Sequence, residues 1–272
     1  MLNILILNWN SSEDVADLML SLSKSIYREF RVLLIHNASH DKENLIKTYN
    51  EYKDLFEMHF IENESNLGFA GGNNRGFEYL QLNDLAGDLL ILNPDIMLQP
   101  DTVEAFISAK NKTNAGALMI RTFDQKGKHL YDGIKLDNFK HKFKRCDSEF
   151  CATDYAAGSC LYLDRESINN IGLFDDEFFM YWEEVDLSFR LKELGKEILC
   201  ITTSYINRKS NPSEKKANAV FFQVRNSFLL KKKYKLDNLK HYLYLLDLFL
   251  FCIKHCLLNM NLIAMKNFFR GL

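Results

Sequence analysis

The sequence predicts an α/β protein, a mainly parallel sheet flanked by helices, with a helical tail at its C-terminal end. Three observations lead there: short, continuously apolar runs at residues 2–8, 31–36 and 89–92, helical stretches between them, and a change of charge after residue 230. Apolar runs of that length suit strands buried on both faces, and strand–helix alternation suits parallel crossovers.

Taking the elements in order, residues 2–8 are long enough for a buried strand and too short for a helix. Ser11 offers an N-cap with Asp14 three residues on, and Val15, Leu18 and Leu22 recur at helical spacing. A second strand at 31–36, a polar helix over 41–55 and a third strand at 57–62 follow. The glycine-rich stretch 66–76 leads into a helix around 75–82. A fourth strand at 89–92 ends at Asn93-Pro94-Asp95. After a helix near 101–110 the pattern becomes irregular, and the polar region 121–155 reads as a hairpin or variable loop. A strand at 159–163, a helix from Asp164, a helix ending at Leu194 before Gly195, and a last strand at 197–201 complete the reading.

Composition narrows the function. The 272 residues are 47% hydrophobic with 3 prolines and 12 glycines, ample for a sizeable core and too poor in Pro and Gly for linkers or collagen-like sequence. A net charge of −2 excludes nucleic-acid binding by bulk charge. That total conceals a split: residues 231–272 hold eight Lys/Arg against two Asp/Glu, a net +6, which leaves −8 on residues 1–230. The six cysteines form no C-x-x-C pair, which argues against a zinc framework or a disulfide scaffold. Cys252, His255 and Cys256 share one helix face; an apolar face is the plainer reading than a metal site. The opening MLNILILNWN has no basic n-region or cleavage site, so cytoplasmic residence is expected.

Three constellations carry chemistry. Gly68, Gly71, Gly72 and Gly76 crowd into one segment, where glycine permits positive φ and close ligand approach, although such a turn is also commonly structural. The segment is neither a P-loop nor a G-x-G-x-x-G turn after the first strand. Asp95 sits at the carboxyl edge of a buried strand, where open α/β sheets bind ligands and a carboxylate can hold a divalent cation; the alternative is a turn aspartate. Glu183, Glu184 and Asp186 follow Phe178–Trp182. An acidic helix start is ordinary, but acid beside aromatic surface suits a general base next to a sugar platform.

Together these pieces resemble the inverting glycosyltransferases of family 2, in the rhamnosyltransferase-like branch. The matching segments are Ile6–Asn10, Asn37-Ala38-Ser39 with Asp41, Asn66–Gly76, Leu92–Asp95, Ala157-Gly158-Ser159 and Phe179–Leu187, in order across roughly residues 3–230. The resemblance implies a GT-A fold with a nucleotide-binding half over about 1–110, an acceptor-binding half over about 111–230, and a separate basic tail at 231–272. It implies donor contacts from Asn8, Asn10, His36, Asn37, Asn66, Gly68, Gly71, Asn73, Asn74, Asn93 and Asp95. It implies Mn²⁺ or Mg²⁺ at Asp95 with Asn207 as a weak ligand, Glu184 as catalytic base, and acceptor contacts from Tyr181, Trp182, Glu183 and Asp186. The chain departs from the family at three of these places. His36 and Glu184 stand where an aspartate is usual, and Asn207 stands near a usual histidine.

The implied reaction moves a sugar from a UDP- or dTDP-sugar to a saccharide or lipid-linked saccharide in bacterial surface-polysaccharide assembly, such as lipopolysaccharide, O-antigen or capsule. A catalytically degenerate nucleotide-sugar-binding or scaffold subunit is the alternative. A nucleotidyltransferase is disfavoured because residues 8–13 lack a basic glycine-rich signature. In the tail, Lys231–Lys233 and Lys235 precede a Leu/Phe-rich stretch whose longest apolar run is six residues, far below the roughly 20 that span a bilayer. Basic flanks suit peripheral contact with the inner face of a membrane, while packing on the domain or a homodimer interface are the other uses of such helices.

Overall fold

The computed structural model describes residues 1–209 and 213–272. The apolar runs lie side by side. Strand β1 (Leu2–Asn8) leads through α1 (Ser12–Leu22) to β2 (Phe30–Asn37), α2 (Lys42–Tyr52), β3 (Glu57–Asn63), α3 (Gly68–Leu82) and β4 (Asp88–Leu92). β1 pairs in parallel with both β2 and β4, and β2 with β3. Alternate side chains serve opposite faces. Ile4, Ile6, Val32 and Leu34 pack with Val15, Leu18 and Leu22 of α1, whereas Leu5, Leu33 and Ile35 pack with Phe77 and Leu80 of α3. Both faces are covered, so these strands read as unbroken apolar runs.

The second half adds β5 (Ile96–Leu98), α4 (Thr102–Lys112), β6 (Ala115–Asp124), β7 (His129–Tyr131), β8 (Gly133–Asp137), β9 (Lys140–Lys144), β10 (Phe150–Ala152), β11 (Cys160–Leu163) and α5 (Arg165–Ile171). A 3-10 turn at Asp176–Phe178 precedes α6 (Glu183–Glu193), β12 (Glu197–Arg208), α7 (Ser213–Tyr234), α8 (Asn238–Asn259) and α9 (Ile263–Gly271). The main sheet runs β10-β12-β6-β11-β4-β1-β2-β3, with β5 on β12 and β7 on β6; β8 and β9 form a separate hairpin. The long ladders are parallel and the antiparallel ones short. This is the expected mainly parallel GT-A-type architecture with a helical C-terminal region.

Several local expectations change. Residues 66–76 are not a loop before a helix: α3 itself starts at Gly68, because the glycines let the helix lie close under Leu5, Leu7 and Ile35. Ser11 does not cap α1, since its Oγ donates to the Trp9 carbonyl. Asp41 takes that role instead, accepting the Ser12 amide at 2.7 Å. Burial would raise the Asp41 pKa, but hydrogen bonds from Ser39, the Ser12 backbone and Asn8 draw it down to about 2. Strand β6, buried from Ala115 through Ile120, escaped the sequence reading because Ala115-Gly116-Ala117 carries no β-branched signal. β12 continues well past residue 201, through an irregularity between Ile201 and Tyr205, to pair with β5. Cys146 is bonded to Cys151 of β10, so one disulfide exists where the spacing argued against a scaffold. Cys252, His255 and Cys256 form no metal cluster among the described residues.

The tail is not a separate piece beginning at 231. α7 runs straight through that position, and Val220 and Val224 pack with Leu245, Leu248, Cys252 and Phe268 in a third apolar cluster. Lys233 reaches back to the buried Asp186 at 2.6 Å.

Gly68 has φ +72°, and a Cβ there would run into the backbone oxygen of Phe179. Gly68→Ala is expected to cost at least about 1–3 kcal/mol of stability, read as a fall in Tm by calorimetry. An unchanged Tm would show that the start of α3 relaxes freely.

Candidate functional site

The carboxyl ends of β1, β2 and β4 open into a cleft of about 680 Å³. Its floor is Asn93-Pro94-Asp95 after β4, with Asn37, Asn66 and Gly68 on one side and Gly158 and Ser159 on the other. Phe179–Tyr181, Glu183 and Glu184 form one wall, and Tyr131, Phe143 and Tyr155 come from the second half. A shallower depression of about 560 Å³ lies beyond Phe179, lined by Gly71, Asn74, Arg75 and Asp176. Its polar groups are already engaged, Asn74 with Asp176 and Arg75 with Glu78.

Many of the asparagines build the cleft instead of facing it. Asn37 is a hub: its Oδ1 accepts from Asn63 Nδ2 (3.0 Å) and the Leu67 amide (3.1 Å), and its Nδ2 donates to Asn66 Oδ1 (2.9 Å) and the Gly68 carbonyl (3.2 Å). Asn8 is fully buried, donating to Ser39 and Asp41 and accepting from the Ser11 amide. Asn10 accepts the His40 amide, and Asn73 donates to the Phe69 carbonyl. Asn74 lines only the outer depression, where it ties α3 to the Phe174 backbone. His36 is also turned inward: its Nε2 accepts the Ser39 amide at 3.1 Å, closing a tight turn. Asn8, Asn10, His36, Asn73, Asn74 and Gly71, expected to contact the donor, thus do not line this cleft: local partners hold the first four, and Asn74 and Gly71 line the outer depression.

The carboxylate wall rests on an unusual backbone. Phe179, Tyr181 and Trp182 all have positive φ (58°, 67° and 76°), a conformation that non-glycine residues hold only when their surroundings enforce it. Asn226 of α7 enforces it, donating from Nδ2 to the carbonyls of Phe178, Met180 and Tyr181 at 2.6, 2.8 and 2.9 Å. Arg225 adds a bond to the Glu177 carbonyl. The loop thereby presents Tyr181 and the first turn of α6 to the cleft. Burial and the neighbouring Glu184 charge push Glu183 well above the usual carboxylate range. Burial raises Glu184 as well, opposed by a hydrogen bond from Glu183 and by the Arg208 charge. The two carboxyls titrate as a pair, with Glu183 held further up than Glu184, and Glu184 is the less enclosed of the two.

Two expected acceptor contacts are displaced. Trp182 packs against Phe139 and Tyr244 and donates to the Gln223 carbonyl, so it braces the loop from behind. Asp186 is fully buried and receives Arg190, Lys233 and the Tyr234 hydroxyl, which makes it a structural ion-pair centre.

At the floor, Asp95 Oδ2 lies 3.3 Å from Arg208 Nε. Arg208 is the one cation among the described cleft-lining residues, facing Asp14, Asp95, Glu183 and Glu184. Asn207 lies outside the cleft, in register with Met97 and Phe123 on β12, because alternation along a strand turns adjacent side chains to opposite faces. Among the described residues no three His, Cys, Asp or Glu side chains are grouped so as to hold a metal ion. Asp95 alone suits a hard cation whose other positions come from phosphate oxygens and water. Arg208 and the exposed Trp9 at the cleft mouth were missed by sequence reasoning. Arg208 carries no motif, while Trp9 stood inside a quoted motif and its indole at the end of β1 was the available signal.

The chain is similar to known proteins in sequence and in fold. The Haloferax volcanii "Low-salt glycan biosynthesis hexosyltransferase Agl10" is 25% identical over 246 residues, covering 84% of this chain and 74% of that protein. The Mycobacterium tuberculosis "N-acetylglucosaminyl-diphospho-decaprenol L-rhamnosyltransferase" is 25% identical over 207 residues, covering 64% and 65%. Among solved structures, GalNAc-T7 with UDP, GalNAc and Mn²⁺ superposes with TM-score 0.66 at 16% identity, covering 78% of this chain and 43% of that one. S. aureus TarS 1–349 in complex with UDP-GlcNAc gives 0.64 at 13%, covering 100% and 79%. The profile of Glycosyl transferase family 2 matches residues 3–172, more than half of the chain, and the chain belongs to that family.

Proposed function

We propose that the cleft transfers a sugar from a nucleoside diphosphate donor, a UDP- or dTDP-sugar, to a saccharide hydroxyl with inversion at the anomeric carbon. The observation that carries this is one cleft with an accessible, raised-pKa carboxylate on one wall and a carboxylate–guanidinium pair at its floor. Tyr181 lies within the fields of Arg208, Glu183, Glu184 and Asp95 together, which puts the two groups in one electrostatic neighbourhood.

Glu184 takes the acceptor proton as the hydroxyl oxygen attacks, and a carboxylate whose pKa is raised by burial suits that task. Glu183, buried beside Glu184, keeps that carboxylate oriented. Tyr181, Tyr131 and Phe143 offer flat apolar surface to sugar rings, and Trp9 offers an indole face to the base at the mouth. A divalent cation held at Asp95 would offset charge on the departing diphosphate, in keeping with the Mn²⁺ in the GalNAc-T7 structure. Arg208 adds a fixed positive charge at the same end, and its guanidinium matches phosphate geometry. The mycobacterial relative's name specifies a lipid diphosphate acceptor, which supports a lipid-linked saccharide acceptor here and a place in surface-polysaccharide assembly. The Asp95–Arg208 pair also favours one second reading, a degenerate donor-binding subunit in which the arginine keeps the aspartate occupied. Release of nucleoside diphosphate by the wild type above background decides between the two.

Glu184→Gln is expected to lower kcat by about 10²–10⁴-fold with UDP affinity unchanged; wild-type turnover in that variant would remove Glu184 as base. Because the base works deprotonated and its pKa is raised, activity should fall with decreasing pH at an acid limb above the ordinary carboxylate range. A pH profile of kcat/KM that stays flat down to that range contradicts the assignment. Asp95→Asn should act in opposite directions. Without metal it frees Arg208 and tightens UDP or dTDP binding, whereas with Mn²⁺ it weakens binding, each by about ten-fold. Arg208→Gln should weaken both. Calorimetric titration of the two nucleotides with EDTA or Mn²⁺ reads the signs, and equal weakening by Asp95→Asn under both conditions refutes the competition.

A further inference from the structure

Helix α8 is apolar on two opposite faces, and only one of them is used. His241, Leu245, Leu248, Cys252 and His255 are buried, with Leu245, Leu248 and Cys252 in the cluster formed with α7 and α9. On the other side Leu239, Leu243, Leu246, Leu250, Ile253 and Leu257 recur at three- and four-residue spacing, a continuous stripe on one helix surface. Each is exposed: Leu239 by 67%, Leu246 by 52% and Leu257 by 75%. Met260, Leu262 and Phe269 extend the apolar surface past the end of α8. An unbroken stripe of this kind marks an interaction surface.

From this we propose that the outer face of α8 docks on an anionic lipid bilayer, lying along its surface. Charge selects this occupant. The basic run borders the stripe: Lys231 Nζ sits 5.7 Å from the centre of the ring of Tyr242, an exposed neighbour of Leu243, and Lys232, Lys235, Lys254 and Lys266 are exposed. A second copy seated on the same face would set one +6 tail against another, whereas acidic headgroups attract such a surface. By length and composition Asn238–Asn259 is apolar enough to cross a membrane, a property the six-residue runs had concealed. Its inner face is already packed against α7 and α9, so the helix lies at the interface.

Docking also orients the cleft. α7, which supports α8, lines the cleft with Asn218, Ala219 and Phe222, and Tyr244 of α8 stacks on Phe139 and meets Trp182 edge-on behind the carboxylate wall. Given the proposed acceptor chemistry, this surface holds the acceptor side close to lipid headgroups; the docking itself is independent of that chemistry.

Vesicle sedimentation of the full chain, without donor nucleotide, tests it. The protein should pellet with vesicles of equal phosphatidylcholine and phosphatidylglycerol, not with phosphatidylcholine alone, and salt should release it. A variant with Leu246→Glu, Leu250→Glu and Leu257→Glu should lose binding by about ten-fold or more while keeping its Tm and its UDP-induced thermal shift. Lys232→Gln with Lys235→Gln, which leaves the stripe intact, should reduce binding to the anionic vesicles. Wild type that stays in the supernatant with both vesicle types overturns the proposal. So does a wild-type dimer in sedimentation velocity that the glutamate variant converts to monomer without any vesicle binding, since the face would then belong to a second copy.

Discussion

Asn226 is a single amide on which the arrangement of the cleft depends. Three carbonyls of the 178–181 loop converge on its Nδ2, and no exposed contact could substitute, because the residue is fully buried. Left-handed backbone at three non-glycine residues costs on the order of 1–3 kcal/mol each. It persists only where hydrogen bonding and packing over-determine it. Without the clamp, Tyr181 and the first turn of α6 have no fixed direction, and the glutamate pair loses the enclosure that raises its affinity for protons.

The clamp comes from α7, which changes how the C-terminal region is understood. Judged by charge, the chain divides at residue 231 into an acidic body and a basic tail. Judged by contacts, α7 belongs to both. It supplies Asn226 and the Gln223 carbonyl to the loop, the Tyr234 hydroxyl and Lys233 to buried Asp186, and Val220 and Val224 to the helical cluster. Part of the tail's positive charge thus neutralises the body internally, and the rest is left for a surface.

The fold was largely legible because strands buried on both faces leave a strong local signature, as in Leu2–Asn8 and Asp88–Leu92. β6 was not, since an alanine- and glycine-rich strand draws its identity from neighbours distant in sequence. The same distinction governs the site. Asp95 and Glu184 stand at element ends that sequence can locate. Arg208 meets Asp95 across 113 residues, and nothing local announces it. The asparagines stand out in the sequence as a group, but which of them face the cleft depends on hydrogen bonds such as that of Asn8 with Asp41, a property of the folded backbone. Trp182 and Asp186 were misjudged for a related reason: helix-start and positive-φ geometry turns neighbouring side chains in opposite directions.

The start of α3 touches the carboxylate loop through the Ala70 amide, which donates to the Phe179 carbonyl at 3.0 Å, and through the close approach at Gly68. The glycine helix and the carboxylate loop are consequently cut to one another's shape. Halves of two such proteins would not exchange as modules: a graft joined near residue 110 would bring together a helix and a loop that never shared a contact surface. New acceptor preferences are more readily reached through Tyr131 and Phe143, which lie on the cleft's far side and leave that seam intact.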